Sequence, residues 1–148
     1  MAEGTVQSIE IPASRDYIFE VLSDLELYPE WITAMREVEI LELDEDNRPK
    51  RARFLVDAMI KEIAYDLDYV HEPPVRMSWT AVPGADIRQM VGSYELIELE
   101  GGDTDVVYAL MVEPEFTVPG FLRRQAEKQL IGTALRGLKK RVEALNAG

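Results

Sequence analysis

Residues 119–148 read PGFLRRQAEKQLIGTALRGLKKRVEALNAG. Phe121, Leu122, Ala126, Leu130, Ala134, Leu138, Val142 and Leu145 recur every three or four positions, the spacing of one helical face. The segment therefore predicts one long helix from Pro119-Gly120 to the end. Gly132 and Gly137 each weaken such a helix by about 1 kcal/mol relative to Ala. They are expected where the helix approaches its neighbour closely, or where a ligand needs room.

Before Pro119 the pattern changes to period two, cut by turns. Thr5 to Ile11 reads as a strand ending at Pro12. Ser14 is a good N-cap, and Tyr17, Ile18, Val21, Leu22 and Leu25 follow at helical spacing. Tyr28-Pro29-Glu30-Trp31 is expected to begin a second short helix, since Pro is tolerated at a first helical position. Arg36 to Leu43, Lys50 to Ala58 and Lys61 to Val70 each alternate, with Asp44-Glu45-Asp46-Asn47-Arg48-Pro49 reversing the chain between the first two. Val75, Met77 and Trp79 mark another strand, broken at Pro83-Gly84. Gln89 to Leu99 and Thr104 to Pro114 are expected to pair across Gly101-Gly102-Asp103. Adjacent strands with helices set apart imply an α+β fold on an antiparallel sheet. A curved sheet around one long helix leaves space between them, the natural place for a ligand.

At 148 residues the chain is expected to form one domain, 1–148. It has no cysteine, which removes disulfides, thiolate catalysis and cysteine-based zinc sites. Met1-Ala2-Glu3-Gly4 lacks the start of a signal peptide, and no apolar run approaches the ~20 residues of a membrane span. A cytoplasmic protein fits these features. The net charge is −12, which argues against nucleic acid as a partner. It is unevenly spread: residues before Pro119 carry −17, and the C-terminal helix carries +5. The basic helix either complements its own acidic sheet or offers a transient contact to an anionic membrane or acidic ligand.

Several strings, in order, resemble the helix-grip superfamily of START domains, Bet v 1-type allergens and polyketide cyclase/dehydrases (SRPBCC). Ile11 to Asp24 is similar to the family's first strand and helix, and Leu27-Tyr28-Pro29-Glu30-Trp31 to its short second helix. Gly92-Ser93-Tyr94-Glu95-Leu96 with Thr104 to Leu110 resembles its last hairpin. Val118 to Lys128 resembles the helix start of actinobacterial cyclase/dehydrase-like and coenzyme-Q-binding START proteins. The resemblance covers nearly the whole chain. It implies a curved antiparallel seven-stranded sheet wrapped around a long C-terminal helix, with two short helices between strands 1 and 2. It also implies an apolar cavity for a hydrophobic small molecule, such as a polyketide, quinone or lipid.

Tyr28, Trp31, Met35, Tyr65, Tyr69, Tyr94, Phe121, Leu122 and Gln129 are the expected cavity lining. The core of this set is the alternation Ile63, Tyr65, Leu67, Tyr69, which puts wide apolar faces and polar tips on one side of a strand. Ordinary core packing would give the same pattern. Gln125, Gln129 and Thr133 lie close to the helical stripe, where a polar group facing a cavity needs a partner. The ligand is expected to enter beneath the Pro119-Gly120-Phe121 end of the helix. The aromatase/cyclase branch shares the aromatic at Tyr28, but commonly has a Tyr entering the second strand and an Arg deep in the fourth. Here those positions align with Met35 and Tyr69, which weakens the case for ring closure by a polyketide aromatase/cyclase or dehydratase. A third class is an interaction module using the basic helix.

His71, the only histidine, lies beside Glu72-Pro73-Pro74 and is expected in an exposed turn. No Gly-x-Ser-x-Gly elbow offers it a nucleophile. Asp66 and Asp68 face away from the aromatic row and are expected on a solvated face. With no phosphate loop and no transition-metal ligand set, no cofactor is expected.

Overall fold

The computed structural model describes residues 4–57 and 61–147. The elements run β1 (Thr5–Ile11), α1 (Arg15–Ser23), a 3-10 helix (Leu25–Glu30), β2 (Met35–Leu43), β3 (Pro49–Asp57), β4 (Glu62–Glu72), β5 (Arg76–Val82), β6 (Ile87–Glu98), β7 (Thr104–Pro114) and α2 (Gly120–Ala147). The seven strands form one antiparallel sheet in the order β1-β7-β6-β5-β4-β3-β2. It is a meander from β2 to β7, with β1 added beside β7. Register shifts in β2 and at the start of β6 put bulges in the sheet, and bulges bend strands. The Ala58 end of the expected third strand lies outside the described residues.

Local chemistry accounts for the ends of these elements. Ser14 Oγ accepts from Tyr17 N at 3.2 Å and starts α1. Asp44 Oδ1 accepts from the amides of Asp46 and Arg48 at 2.8 and 3.0 Å, closing the β2–β3 turn. Those amides hold the Asp44 carboxyl below its ordinary range. Gly101 and Gly102 take φ of 95° and 94° in the β6–β7 hairpin, a conformation that disfavours L side chains.

Two local expectations are corrected. Tyr28-Pro29 lies near the end of the 3-10 helix, not at its start. The chain turns into that helix directly from α1 at Asp24, and the Tyr28 carbonyl then accepts from Trp31 N and Ile32 N to end it. His71 is a strand residue, half-buried, because β4 runs on to Glu72 in register with β5. Its Nε2–H donates to the Pro49 carbonyl at 2.6 Å, and its ring stacks on Tyr69 at 5.8 Å.

The sheet's two faces differ sharply. On the outer face Arg51 and Arg53 meet Asp68 and Asp66 across β3 and β4, each by a two-pronged hydrogen bond of 2.6–3.2 Å. The Arg51 bond holds the Asp68 carboxyl below its ordinary range. The inner face carries the core, with Phe54, Leu67, Met77, Leu96 and Val106 all buried.

Helix α2 lies against this face at the β1–β7 end. Its inward side is Ile131, Ala134, Leu135, Leu138 and Val142, joined by one buried carboxylate, Glu127. Glu127 accepts from Thr5 Oγ1 at 3.0 Å and from Val112 N at 2.8 Å, tying α2 to both β1 and β7. At the other end, a Cβ on Gly137 would stand 2.3 Å from the Trp31 carbonyl oxygen. The glycine is the space that lets helix and loop meet, as one of the two sequence readings expects.

A second glycine sets the centre of the sheet. Trp79 on β5 sits opposite Gly92 on β6, and a Cβ on Gly92 would stand 2.4 Å from its indole ring. Ala gains about 0.5–1 kcal/mol over Gly in a strand. Overpacking costs about 1–3 kcal/mol, so the clash wins. Gly92→Ala is expected to lower the urea midpoint and shift the tryptophan emission. A midpoint equal to or above the parent's would show that the indole is free to move.

Candidate functional site

Between the inner face and α2 the strand register assembles an aromatic row. Phe54 faces Tyr65, Tyr69 faces Trp79, and Tyr94 faces Tyr108, each as a direct cross-strand pair. Their ring centroids are 5.5, 5.7 and 4.4 Å apart, so all three pairs are in direct aromatic contact. Phe54–Tyr69 at 6.3 Å and Trp79–Tyr94 at 5.4 Å link the pairs, so the row crosses five strands without a break.

The row walls a cavity that also touches Tyr28, Ile32, Ala34 and Met35 on one side, and Leu130 and Ala134 of α2 on another. Its volume is about 40 Å³. That holds a few water molecules at most, against roughly 300–1,000 Å³ for a drug-sized pocket. The rings largely fill the space they enclose. None of the lining side chains is charged.

Of the expected lining residues, Tyr28, Met35, Tyr65, Tyr69 and Tyr94 meet at this cavity. Trp31 does not: it is buried edge-on to Tyr28 at 5.0 Å, with its backbone under Gly137. Phe121, Leu122 and Gln129 are also outside the lining, and all three are exposed. The reason is rotational. The buried carboxylate of Glu127 turns the helix so that Leu130, Ile131 and Ala134 face inward, leaving those three on the outer side. Gln125 is exposed for the same reason. The lining also includes Phe54, Trp79, Met90, Tyr108 and Leu110, which were not among the expected residues. A signal for Tyr108 existed. Pairing Glu98 with Thr104 across the hairpin puts Tyr94, four residues earlier, opposite Tyr108, four residues later.

The hydroxyls are not equivalent. Tyr28 donates to the Leu22 carbonyl and is therefore spoken for. The Tyr94 hydroxyl is directed at that of Tyr108. Among the described residues, no hydrogen-bond partner meets the hydroxyl of Tyr65 or Tyr69. The cavity thus offers two free phenol donors in an apolar wall. His71 stacks behind Tyr69 and is not in the lining. Among the described residues no three His, Cys, Asp or Glu side chains cluster to hold a metal.

Comparison with known proteins gives a consistent picture. A family model described as "Polyketide cyclase / dehydrase and lipid transport" matches residues 11–139. A START superfamily protein from Mycobacterium smegmatis superposes with a TM-score of 0.88 at 22% identity, covering 96% of this chain and 98% of that one. The Zhui aromatase/cyclase from Streptomyces sp. R1128 superposes at 0.83 with 16% identity, covering 97% and 94%. A STAR-related lipid transfer protein fragment from Xanthomonas axonopodis gives 0.72 at 16% identity, covering 95% and 85%. At these identities the likeness is one of fold, and that fold is the helix-grip fold expected from the sequence. No curated protein matches the chain significantly by sequence.

Burial governs the acid–base chemistry of the row. Desolvation raises the hydroxyl pKa of Tyr28, Tyr65, Tyr69, Tyr94 and Tyr108 above the ordinary value of 10.0. All five are neutral donors at physiological pH, not phenolate bases. A folded pKa above the unfolded one gives stability that is present below pH 10 and lost as pH rises beyond it. In an alkaline titration followed by near-ultraviolet absorbance, these five of the six tyrosines are expected to ionise together with unfolding. Five independent ionisations near 10, with circular dichroism unchanged, would contradict the burial described.

Proposed function

This chain belongs to the polyketide cyclase/dehydrase and lipid transport family, and from that premise we propose that it reversibly binds a neutral, flat, oxygenated hydrophobic molecule between sheet and α2. A polyketide or quinone fits this description better than a charged lipid. The single domain expected over residues 1–148, in the cytoplasm, is the unit that does so.

The observation that carries this reading is the cavity wall. It is aromatic and uncharged, and it includes Tyr65 and Tyr69, whose hydroxyls meet no hydrogen-bond partner among the described residues. A carboxylate or phosphate guest would lose its hydration there without gaining a counter-ion. A quinone or ketone oxygen would instead accept from Tyr65 or Tyr69 while its ring lies along Trp79. Because the cavity is about 40 Å³, the guest enters only as rings rotate or α2 lifts. Binding is thus coupled to opening, and apparent affinity is reduced by the fraction of molecules closed.

The second reading is a cyclase or dehydratase in the same cavity. Its support is the family description and the likeness to an aromatase/cyclase. Against it, among the described residues the lining contains no Arg, Lys, His or carboxylate. A developing enolate would find only neutral phenols, which stabilise charge far less than a fixed cation.

Native mass spectrometry of freshly purified protein, followed by solvent extraction, tests for a retained guest. Naphthoquinone serves as a defined probe, read by quenching of Trp79 in a Trp31→Phe background. It is expected to quench saturably, and Tyr69→Leu is expected to weaken it about three- to tenfold, the value of one hydrogen bond. Unsaturable quenching and an empty extract together would remove the carrier reading. Turnover of a poly-β-ketone thioester would replace it with the enzyme.

A further inference from the structure

Phe121 and Leu122 are 63% and 43% exposed, side by side in the first turn of α2. They sit on a helix whose outer surface is unlike the rest of the chain. Between Phe121 and Val142 the one acidic residue is Glu127, and it is buried and doubly hydrogen-bonded to Thr5 and Val112. Along those six turns the exposed side presents no carboxylate, and the exposed Glu143 follows only at the C-terminal end. That side presents Arg124, Lys128, Arg136 and Lys140, all exposed, and none makes an ion pair among the described residues. Elsewhere the surface cations are mostly paired, as Arg51 with Asp68, Arg53 with Asp66 and Arg88 with Glu115.

From this juxtaposition we propose that the outer face of α2 is a docking surface for an anionic lipid bilayer, with Phe121 and Leu122 as the inserted anchor. Cations on a polar helical face beside an exposed aromatic and aliphatic pair are the features of interfacial attachment. The cations match a negative leaflet, and their alkyl stems reach around the apolar pair while the charges stay in water. The acidic sheet does not cancel the attraction. It lies behind α2, roughly a helix diameter of 10 Å farther from the bilayer, beyond the ~8 Å screening length at physiological salt. A second copy of the chain is a weaker occupant. Two apolar side chains are too few for the centre of an interface that buries about 800 Å² per partner. Docking this face holds the helix that carries Leu130 and Ala134, two cavity-lining residues, against the membrane.

The test is co-sedimentation of the full chain with vesicles of phosphatidylcholine alone, or with one-third phosphatidylglycerol, at low and high salt. No cavity guest is added, so the result does not depend on what the cavity binds. The chain is expected to sediment with the anionic vesicles only, and less at high salt. Arg124→Gln with Lys128→Gln is expected to lower the partition about thirtyfold. Phe121→Ser with Leu122→Ser is expected to lower it about tenfold with circular dichroism unchanged. No binding to anionic vesicles, or unchanged binding in both variants, would overturn the proposal. So would a dimer in light scattering that Phe121→Ser with Leu122→Ser dissolves, or equal binding to RNA that ignores those two substitutions.

Discussion

Trp79 can lie flat across the sheet only because the residue opposite it has no side chain. Its indole occupies the volume that a Cβ on Gly92 would take. From there it reaches Tyr69 on one side and Tyr94 and Tyr108 on the other, at 5.4–5.7 Å. Remove that vacancy and the row breaks in the middle, so the shape of the interior follows from one pairing. The same pairing explains why the interior is tight. A tryptophan laid over a glycine and flanked by three phenols fills the hollow that a curved sheet would otherwise leave.

Alternation and helical periodicity made most of the architecture legible. The face Ile63, Tyr65, Leu67, Tyr69 points inward as its spacing requires, while Asp66 and Asp68 point outward to Arg53 and Arg51. The strand order and the long helix follow from the same patterns. What the chain did not announce was rotation and reach. Phe121 and Leu122 continue the spacing of the α2 stripe, yet the stripe that packs is offset from them. Periodicity assigns hydrophobic residues to the buried side, and a helix with a buried glutamate and two exposed apolar residues violates that assumption twice. His71 was read from its neighbours, Pro73 and Pro74, when its pairing with Met77 keeps it in the strand. Tyr108 and Trp79 join the site through partners on other strands, which a reading along one strand does not weigh.

The chain's polarity is arranged by face. Four carboxylates of the sheet, Asp66, Asp68, Glu95 and Glu113, pair with arginines across neighbouring strands. Arg124, Lys128, Arg136 and Lys140 of the C-terminal helix make no ion pair among the described residues, Arg141 pairs with Glu30, and the helix turns its single mid-helix acid inward as a structural acceptor. Glu127 thus does two things at once: it fixes the helix rotation and clears negative charge from the outer side. Around the cavity the polar side chains are phenols, which burial keeps neutral at physiological pH.

The placing of β1 has a consequence during synthesis. Thr5 to Ile11 finds its hydrogen-bonding partner in Leu110 to Thr104, about a hundred residues downstream. At ribosomal speeds of roughly 5–20 residues per second, the first strand waits roughly 5–20 seconds for that partner to appear. The meander from β2 to β7 can zip locally in the meantime, each strand beside the one just made. Closing the long β1–β7 loop waits on the rest of the sheet, and contacts so distant in sequence slow folding. Until then the nascent chain carries Ile9 and Ile11 without their partners Val106 and Thr104.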